Sequence, residues 1–159
     1  MAVFAGQTIK ASLLDRLERP PTAELIQTVG QSVPNGTWGI ITFDSEVEDS
    51  HGGHSTVTNT SRYTCMVAGK YRVVTRSSFV ANATGSRGAR VHLNGSFIQG
   101  AANLVGAGSL SGIVECSHTI RLVPGDYLEA AAGHNSGGAL STYYGGEAAS
   151  KMYVDWISA

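Results

Sequence analysis

The chain has 159 residues, a length that suits one domain with a hydrophobic core of its own. Only 14% of the residues are charged and the formal net charge is −1, which argues against nucleic acid or an anionic membrane as a partner. No run approaches 18 apolar residues, so no membrane-spanning helix is predicted. The opening residues show no basic region followed by an apolar stretch, so we expect no secretory signal. We therefore expect Cys65 and Cys116 to be buried thiols.

Residues 1–22 differ in pattern from the rest, and we interpret them as an N-terminal attachment segment that precedes a domain over residues 23–159. Ser12 can cap a short helix that Pro20 stops. The helix would place three leucines on one apolar stripe: Leu13, Leu14 and Leu17. A helix this short is not stable alone in water, so we expect it to dock on its own domain, on a neighbouring copy or on a larger particle.

From Thr22 onward the pattern is one of strands and turns. Apolar alternation predicts strands over residues 23–29, 37–43, 71–79, 89–93, 113–123, 126–131 and 152–157. We expect a long acidic loop over 44–55, weak alternation over 56–66 and only a short strand between loops over 101–112. About eight to ten strands at regular spacing with no long helix indicate an all-β sandwich or jelly roll. A strand at the extreme C-terminus fits a sheet in which the last strand pairs centrally beside the first.

The acidic loop holds the densest cluster of potential metal ligands. The calcium candidates are Asp44, Glu46 and Asp49, because Ca²⁺ takes six to eight oxygen ligands. His51 and His54 are too few for a structural zinc site. A solvated loop or a contact between subunits explains the same residues, so we expect no cofactor, with calcium as the alternative.

The histidines do not predict an active site. His92, His118 and His134 fall on separate predicted strands, where we expect satisfied structural histidines. No nucleophile or carboxylate is brought beside them by the sequence, and no Gly-x-Ser-x-Gly elbow is present. We therefore expect a protein that is not an enzyme.

Four arginines and four aromatic residues are the candidates for binding surfaces. Arg72, Arg76, Arg87 and Arg90 could form a basic face for an acidic ligand, unless ion pairs with Glu115 or Glu129 use them. Tyr143 and Tyr144 are typical of a sugar-binding platform or of a subunit interface. Tyr153 and Trp156 on the last predicted strand allow the same two interpretations.

Several motifs resemble the complement-head/tumour-necrosis-factor jelly roll in its phage and bacterial versions. They are Trp38 to Asp44 before the Gly/His loop, Val67-Ala-Gly-Lys-Tyr71, Asn82-Ala-Thr-Gly-Ser-Arg-Gly-Ala-Arg90, Val91-His-Leu-Asn-Gly95, Arg121-Leu-Val-Pro-Gly-Asp-Tyr127 and Asn135-Ser-Gly-Gly138. The segment Phe4 to Ser12 is similar to the openings of small virion proteins of phages that infect actinobacteria. The resemblance covers about residues 23–158.

The resemblance implies a ten-stranded jelly roll that forms tight homotrimers and serves as a structural part of a virus particle. A trimeric knob that decorates the capsid surface is the function we expect, since only a short segment precedes the domain. The alternative is a minor tail or fibre-tip protein that binds host-surface glycans through its loops. The expected partners are further copies of the chain, phage capsid or tail proteins and host glycans, on a virion made in the bacterial cytoplasm. Related domains sometimes bind calcium near the threefold axis.

Overall fold

The computed structural model describes residues 19–159, so the predicted helix and its leucines Leu13, Leu14 and Leu17 lie outside the described residues. Within that range the strands are β1 Thr22–Ile26, β2 Ser32–Val33, β3 Trp38–Ile40, β4 Ser45–Asp49, β5 Arg62–Thr64, β6 Gly69–Phe79, β7 Ser86–Leu93, β8 Ser96–Gly106, β9 Gly112–Leu122, β10 Tyr127–His134, β11 Leu140–Ser141 and β12 Lys151–Ser158. A single 3₁₀ turn, Gly146–Ala148, interrupts them in this part of the chain. No helix of the described residues is long and apolar enough to cross a membrane.

Two antiparallel five-stranded sheets form a sandwich. Sheet I has the order β4-β1-β12-β6-β9. Sheet II has the order β3-β10-β7-β8, and β5 pairs with β10 beside β3. The C-terminal strand β12 lies between β1 and β6, so the prediction that the last strand pairs centrally beside the first is confirmed. The predicted all-β sandwich is confirmed with it.

The core lies between the two sheets and follows the alternation of the strands. On β6 the predicted inward face is buried, from Tyr71 and Val73 to Phe79. Its register partner β9 contributes Val114 and Leu122 to the same layer. Because successive side chains of a strand point to opposite faces, every second residue of these strands remains for the outer surface of sheet I.

Both cysteines are free thiols within the core. Cys65 and Cys116 are buried, and burial raises the pKa of each thiol. The prediction of two buried thiols is confirmed. Buried thiols of raised pKa are poor nucleophiles, so they serve here as small apolar side chains.

One predicted loop is wrong, and one predicted strand is too short and begins too late. Residues 45–49 form the edge strand β4, which pairs with β1 across a bulge after Glu24. The segment predicted as a short strand within 101–112 belongs to β8, which runs for 11 residues from Ser96. Both are edge strands with mostly exposed side chains. Both faces of these edge strands are largely exposed to solvent, so apolar side chains are not required at every second position. The alternation that identifies the inner strands is therefore absent from their sequences.

The turn at Asn94 and Gly95 joins β7 to β8 with φ values of 50° and 79°. Two successive residues with positive φ make the tight turn that matches the twist of a hairpin. The Asn94 side chain donates to Asp126 Oδ1 at 2.9 Å and accepts from the Tyr127 backbone N–H at 2.9 Å. The Asn94-Gly95 turn is thereby joined to the turn that contains Asp126. This contact holds the β7–β8 hairpin against the start of β10.

Candidate binding and assembly surfaces

The outer face of sheet I is mostly charged and has a small apolar centre. Tyr153 on β12 lies directly opposite Val74 on β6, and both are half-buried. On one side of them Lys151 Nζ lies 2.6 Å from Glu24 Oε1, and this hydrogen bond raises the pKa of the lysine. An apolar centre with a polar surround is the usual composition of a protein interface.

Exposed apolar side chains lie in the connection between β8 and β9 and on the adjoining ends of these two strands. Leu110 is 79% exposed and Ile113 is 46% exposed, and Val105 is also open to solvent. The two strands it joins, β8 and β9, are the edges of sheets II and I. Exposed apolar residues at a sheet edge are suited to protein contact.

The outer face of sheet II is built around Trp38. The residue lies on β3 opposite Gly133 of β10, and Gly133 in turn lies opposite Gly88 of β7. A Cβ at Gly133 would lie 2.8 Å from the ring atom Cδ2, and one at Gly88 would lie 2.5 Å from Cη2. The indole therefore rests on a strip of sheet that two glycines leave without side chains.

Arg90 covers this tryptophan. Its Cζ atom lies 3.8 Å from the centroid of the Trp38 ring and 5.4 Å from that of the exposed Phe97. Cation–π contacts of this kind hold a guanidinium in place by about 0.5–1 kcal/mol or more. Among residues 19–159 no hydrogen-bond acceptor or carboxylate is paired with Arg90.

A recess of about 170 Å³ opens beside the tryptophan. Its lining combines the apolar Trp38 and Leu104 with polar groups of Thr37, Ser86 and Asn135. Asn135 Oδ1 accepts the Ser86 backbone N–H at 2.5 Å and the Ser86 hydroxyl at 2.9 Å, which fixes the amide at the rim. This surface was not predicted, because Trp38 becomes a site residue only through its contacts with β7 and β10.

The four arginines do not form one basic face, so that interpretation is wrong. Arg72 and Arg76 lie on sheet I, where Arg76 Nη2 pairs with Glu115 Oε1 at 2.7 Å as predicted. Arg87 is buried, and its guanidinium donates to three backbone carbonyls of the 82–86 segment. Arg90 lies on the other sheet. Odd and even positions of β7 face opposite sides, and this separates Arg87 from Arg90.

Glu129 forms its ion pair with Arg62 and not with one of the four arginines expected. It is buried on β10 and accepts from Ser61 Oγ at 2.8 Å and from Arg62 Nε at 3.4 Å. The Arg62 guanidinium also lies 4.0 Å above the Tyr127 ring. Arg62 thus resembles Arg90 in its aromatic support, but its charge is already paired.

The predicted tyrosine pair is formed. Tyr143 and Tyr144 lie between β11 and the 3₁₀ turn, with ring centroids 6.5 Å apart and planes tilted by 33°. Tyr144 is exposed and its ring contacts Gly30, where an added Cβ would lie 2.9 Å from it. The pair is an open aromatic surface at one end of the sandwich.

Tyr153 and Trp156 do not share a face. Tyr153 is on the outer face of sheet I, whereas Trp156 packs against the core and donates from Nε1 to the Ala68 carbonyl at 3.4 Å. The even-numbered residues of β12 face inward, which is why the two aromatics separate. Only Tyr153 is placed for an interface on that sheet.

The three calcium candidates are not brought together. Asp44 accepts from the Thr28 backbone N–H at 2.7 Å and also from the Thr28 hydroxyl. Glu46 lies opposite Leu25 on the edge strand, and Asp49 Oδ2 accepts from the His54 backbone N–H at 2.8 Å. No group of three or more His, Cys, Asp or Glu side chains that could hold a metal exists among the described residues. Calcium stays a prediction from the sequence.

The histidines are only in part satisfied as expected. His134 is buried and its Nε2 lies 2.8 Å from the Val33 carbonyl oxygen. In contrast, both ring nitrogens of His92 are buried without a hydrogen-bond partner. Burial and the neighbouring Arg90 lower the pKa of His92. The expectation of a satisfied histidine is wrong at this position, because Phe97 and Glu129 flank it on the adjacent strands without accepting its proton.

Solved structures share this architecture. The globular domain of zebrafish complement 1qA protein matches with a TM-score of 0.60 at 16% identity, covering 86% of this chain and 97% of that one. Murine APRIL matches with a TM-score of 0.65 at 10% identity, covering 86% and 98%. Eiger TNF from S. frugiperda matches with a TM-score of 0.56 at 15% identity, covering 87% and 92%. The fold is a C1q/TNF-like jelly roll.

No protein-family model matches the sequence, and no curated protein matches it either. At 10–16% identity the likeness concerns the jelly roll and not what its loops bind. The fold predicted from the motifs is confirmed. The function of this jelly roll depends on its own surfaces. These are the outer face of sheet I, the β8–β9 connection, the tyrosine pair and the Trp38 face.

Proposed function

We propose that this chain is a non-enzymatic structural protein of a phage particle, a homotrimeric jelly-roll knob that decorates the capsid surface. The observation that carries the assembly is the small apolar centre on the outer face of sheet I, formed by Tyr153 and Val74, together with the exposed apolar side chains at the β8–β9 edge. The phage role is supported by the resemblance of the motifs and of residues 4–12 to virion proteins. The protein would be made in the bacterial cytoplasm and act on the virion surface.

The two apolar surfaces suit each other in a ring. The sheet I face centres on Tyr153 and Val74, and the edge presents Leu110 and Ile113. When an edge of one copy packs on a different surface of the next, the contact is heterologous, and such contacts close into a ring if the rotation allows. Three copies are the number that the sequence resemblance implies.

Native mass spectrometry tests the assembly. Wild-type protein at micromolar concentration should have three times the 16.6 kDa mass of the chain. The double variant Leu110→Asp/Ile113→Asp should be monomeric, because two carboxylates would be buried in the contact. Val57→Asp is the matched control, since Val57 is 84% exposed in another loop, and it should remain trimeric. A monomeric wild-type protein would contradict the proposed assembly.

The attachment segment is tested separately. Deleting residues 1–20 should leave the trimer intact but abolish binding to undecorated capsids, and Leu13→Asp/Leu17→Asp should have the same effect in the full chain. A charged residue on the apolar stripe would have to be desolvated on docking. Capsid binding retained by both variants would show that the tether lies elsewhere.

The alternative function is a minor tail or fibre-tip protein that binds host glycans, and the tyrosine pair favours it. Tyr144 offers an exposed ring beside Tyr143 at the end of the sandwich, where apolar faces of a sugar can stack. Wild-type protein should be retained on a column of host cell-wall polysaccharide and Tyr144→Ala should elute early. Tyr127→Ala is the control away from this loop. Equal elution of wild type and Tyr144→Ala would remove the tyrosine pair from the proposal.

A further inference from the structure

We propose that the outer face of sheet II binds an acidic sugar residue, with Arg90 holding the carboxylate and the recess beside Trp38 taking the ring. The inference deepens the glycan-binding alternative, because it names a ligand class and places it at a site distinct from the tyrosine pair. It does not depend on the capsid role.

Arg90 is held as a fixed donor. Strand pairing places its backbone between Ala131 of β10 and Ala102 of β8, and Trp38 and Phe97 support the guanidinium at 3.8 Å and 5.4 Å. Stacking on an aromatic ring engages the face of the guanidinium and leaves its N–H groups free in the plane. A preorganised planar fork of this kind matches a carboxylate, which it can bind with two parallel hydrogen bonds.

The charge of Arg90 is not used inside the described part of the chain. Of the other arginines with aromatic contacts there, Arg62 is paired with Glu129 and Arg87 donates to the carbonyls around Thr84. Glu129 is already engaged with Ser61 and Arg62. Arg90 is therefore a supported cation whose donors remain for a ligand, and an anion is the ligand that its charge and planar fork favour.

The recess indicates what the anion is attached to. At about 170 Å³ it is well above the ~10–15 Å³ that a single water needs but smaller than the pockets of about 300–1,000 Å³ that hold drug-sized ligands. One ring-sized group fits such a space. The hydroxyls of Thr37 and Ser86 and the amide of Asn135 provide polar partners opposite the apolar Leu104.

An acidic sugar satisfies both parts of this surface. Its hydroxyls can bond to the polar rim, its apolar C–H face can lie against Leu104 and the edge of the Trp38 ring that borders the recess, and its carboxylate can pair with Arg90. A neutral sugar would leave the guanidinium unpaired, and a free phosphate would leave the recess unfilled. The combination, and not either part alone, selects the ligand class.

Tryptophan fluorescence can follow binding at this site. The chain has two tryptophans, so the Trp156→Phe variant leaves Trp38 as its single tryptophan, whose emission is excited selectively over that of the tyrosines. This protein is titrated with glucuronate, with glucose as the same ring without the charge, with acetate as the carboxylate without the ring, and with inorganic phosphate. Glucuronate should give a saturable change, at a concentration at least tenfold lower than any of the other three.

Two substitutions identify the donor. Arg90→Gln should weaken glucuronate binding at least tenfold, and Arg90→Lys should weaken it less, because the charge is kept while the planar fork is lost. Arg19→Gln is the control, since Arg19 is exposed and precedes both sheets, and it should bind as the parent does. Thermal melts of all variants establish that each is folded.

Three results would overturn the inference. These are no saturable glucuronate signal in the parent, equal binding by Arg90→Gln, and phosphate or acetate binding as tightly as glucuronate. None of them bears on the assembly: a trimer that decorates capsids without binding glucuronate overturns this inference alone. A monomer that binds glucuronate supports it and contradicts the proposed trimer.

Discussion

Gly133→Ala should disturb the Trp38 face by one methyl group. The added Cβ would lie 2.8 Å from Trp38 Cδ2 and 3.0 Å from Cε2 and Cε3. Since carbon atoms pack best at about 3.5–4.0 Å, the indole must rise by roughly 1 Å. The atoms concerned belong to the middle of a fused ring, so no rotation of a flexible end can relieve the contact. The ring would move away from the sheet and toward Arg90.

Overpacking of this kind costs about 1–3 kcal/mol, and the loss of glycine from a strand returns about 0.5–1 kcal/mol. A net loss near 1–2 kcal/mol lowers Tm by about 2–8 °C for a chain of this size. The matched control is Gly138→Ala, since a Cβ there would meet nothing within 4 Å. Its Tm should stay equal to that of the wild type or rise slightly.

The assay is a thermal melt by circular dichroism at fixed protomer concentration, because self-association makes Tm depend on concentration. Near-ultraviolet dichroism and the emission of Trp38 in the Trp156→Phe background report on the indole itself. Equal Tm values for Gly133→Ala and Gly138→Ala, with unchanged indole spectra, would refute the close packing of Trp38 on the strip of glycines.

Three further predictions concern charged and titratable groups. Arg87→Lys should destabilise the fold by roughly 3 kcal/mol in urea unfolding, because one ammonium cannot replace donors to carbonyls at 2.6, 2.9 and 3.0 Å. His92→Leu should be stabilising at pH 8, because it removes two buried nitrogens without partners, and more stabilising at pH 5, whereas His134→Leu should cost about 1–3 kcal/mol at both. The folded-state pKa of His92 lies below its ordinary value of 6.5, so the wild type loses stability as pH falls below about 6.5. If the effect of His92→Leu on the free energy of unfolding were the same at pH 5 and pH 8, the burial of this histidine would be contradicted. Hydrogen bonds from Asn94 and the Val123 backbone N–H lower the pKa of Asp126. Its contribution to folding stability is therefore present above about pH 4 and is lost as pH falls through the lower pKa of the folded state. Asp126→Asn should remove this pH dependence from an acid titration that is followed by circular dichroism.

The inner strands and the edges of this fold differ in how well the sequence predicts them. On β6 and β9 one face is buried and the other is wet, so alternation marks both strands and their inward residues. On β4 and β8 most side chains are exposed, and the same signal is absent. The prediction therefore works where burial imposes a period on the chain, and it fails at the edges where only backbone pairing forms the strand.

The candidate sites differ for a related reason. Tyr143 and Tyr144 are neighbours in sequence, so their pairing could be predicted. Trp38 gains its place from Gly88, Gly133 and Arg90, which only the strand order β3-β10-β7 brings beside it. A tryptophan followed by a glycine carries no local sign of that arrangement. A site that is assembled across strands can be predicted only after the register is known.

The two proposals together imply that the faces of the sandwich are divided between assembly and binding. In the proposed trimer the apolar centre of sheet I contacts other copies, and the Trp38 face of sheet II remains exposed. Each trimer therefore presents three copies of the Trp38 face. Repetition converts weak binding of one sugar into tight binding of a polymer, since later contacts form at high effective concentration. Wild-type protein and the Leu110→Asp/Ile113→Asp variant should therefore bind free glucuronate equally, while only the wild type is retained on immobilised alginate, a polymer of uronic acids. Equal retention of the two would mean that the copies do not act together, and unequal binding of free glucuronate would mean that the edge and the Trp38 face are coupled within one chain.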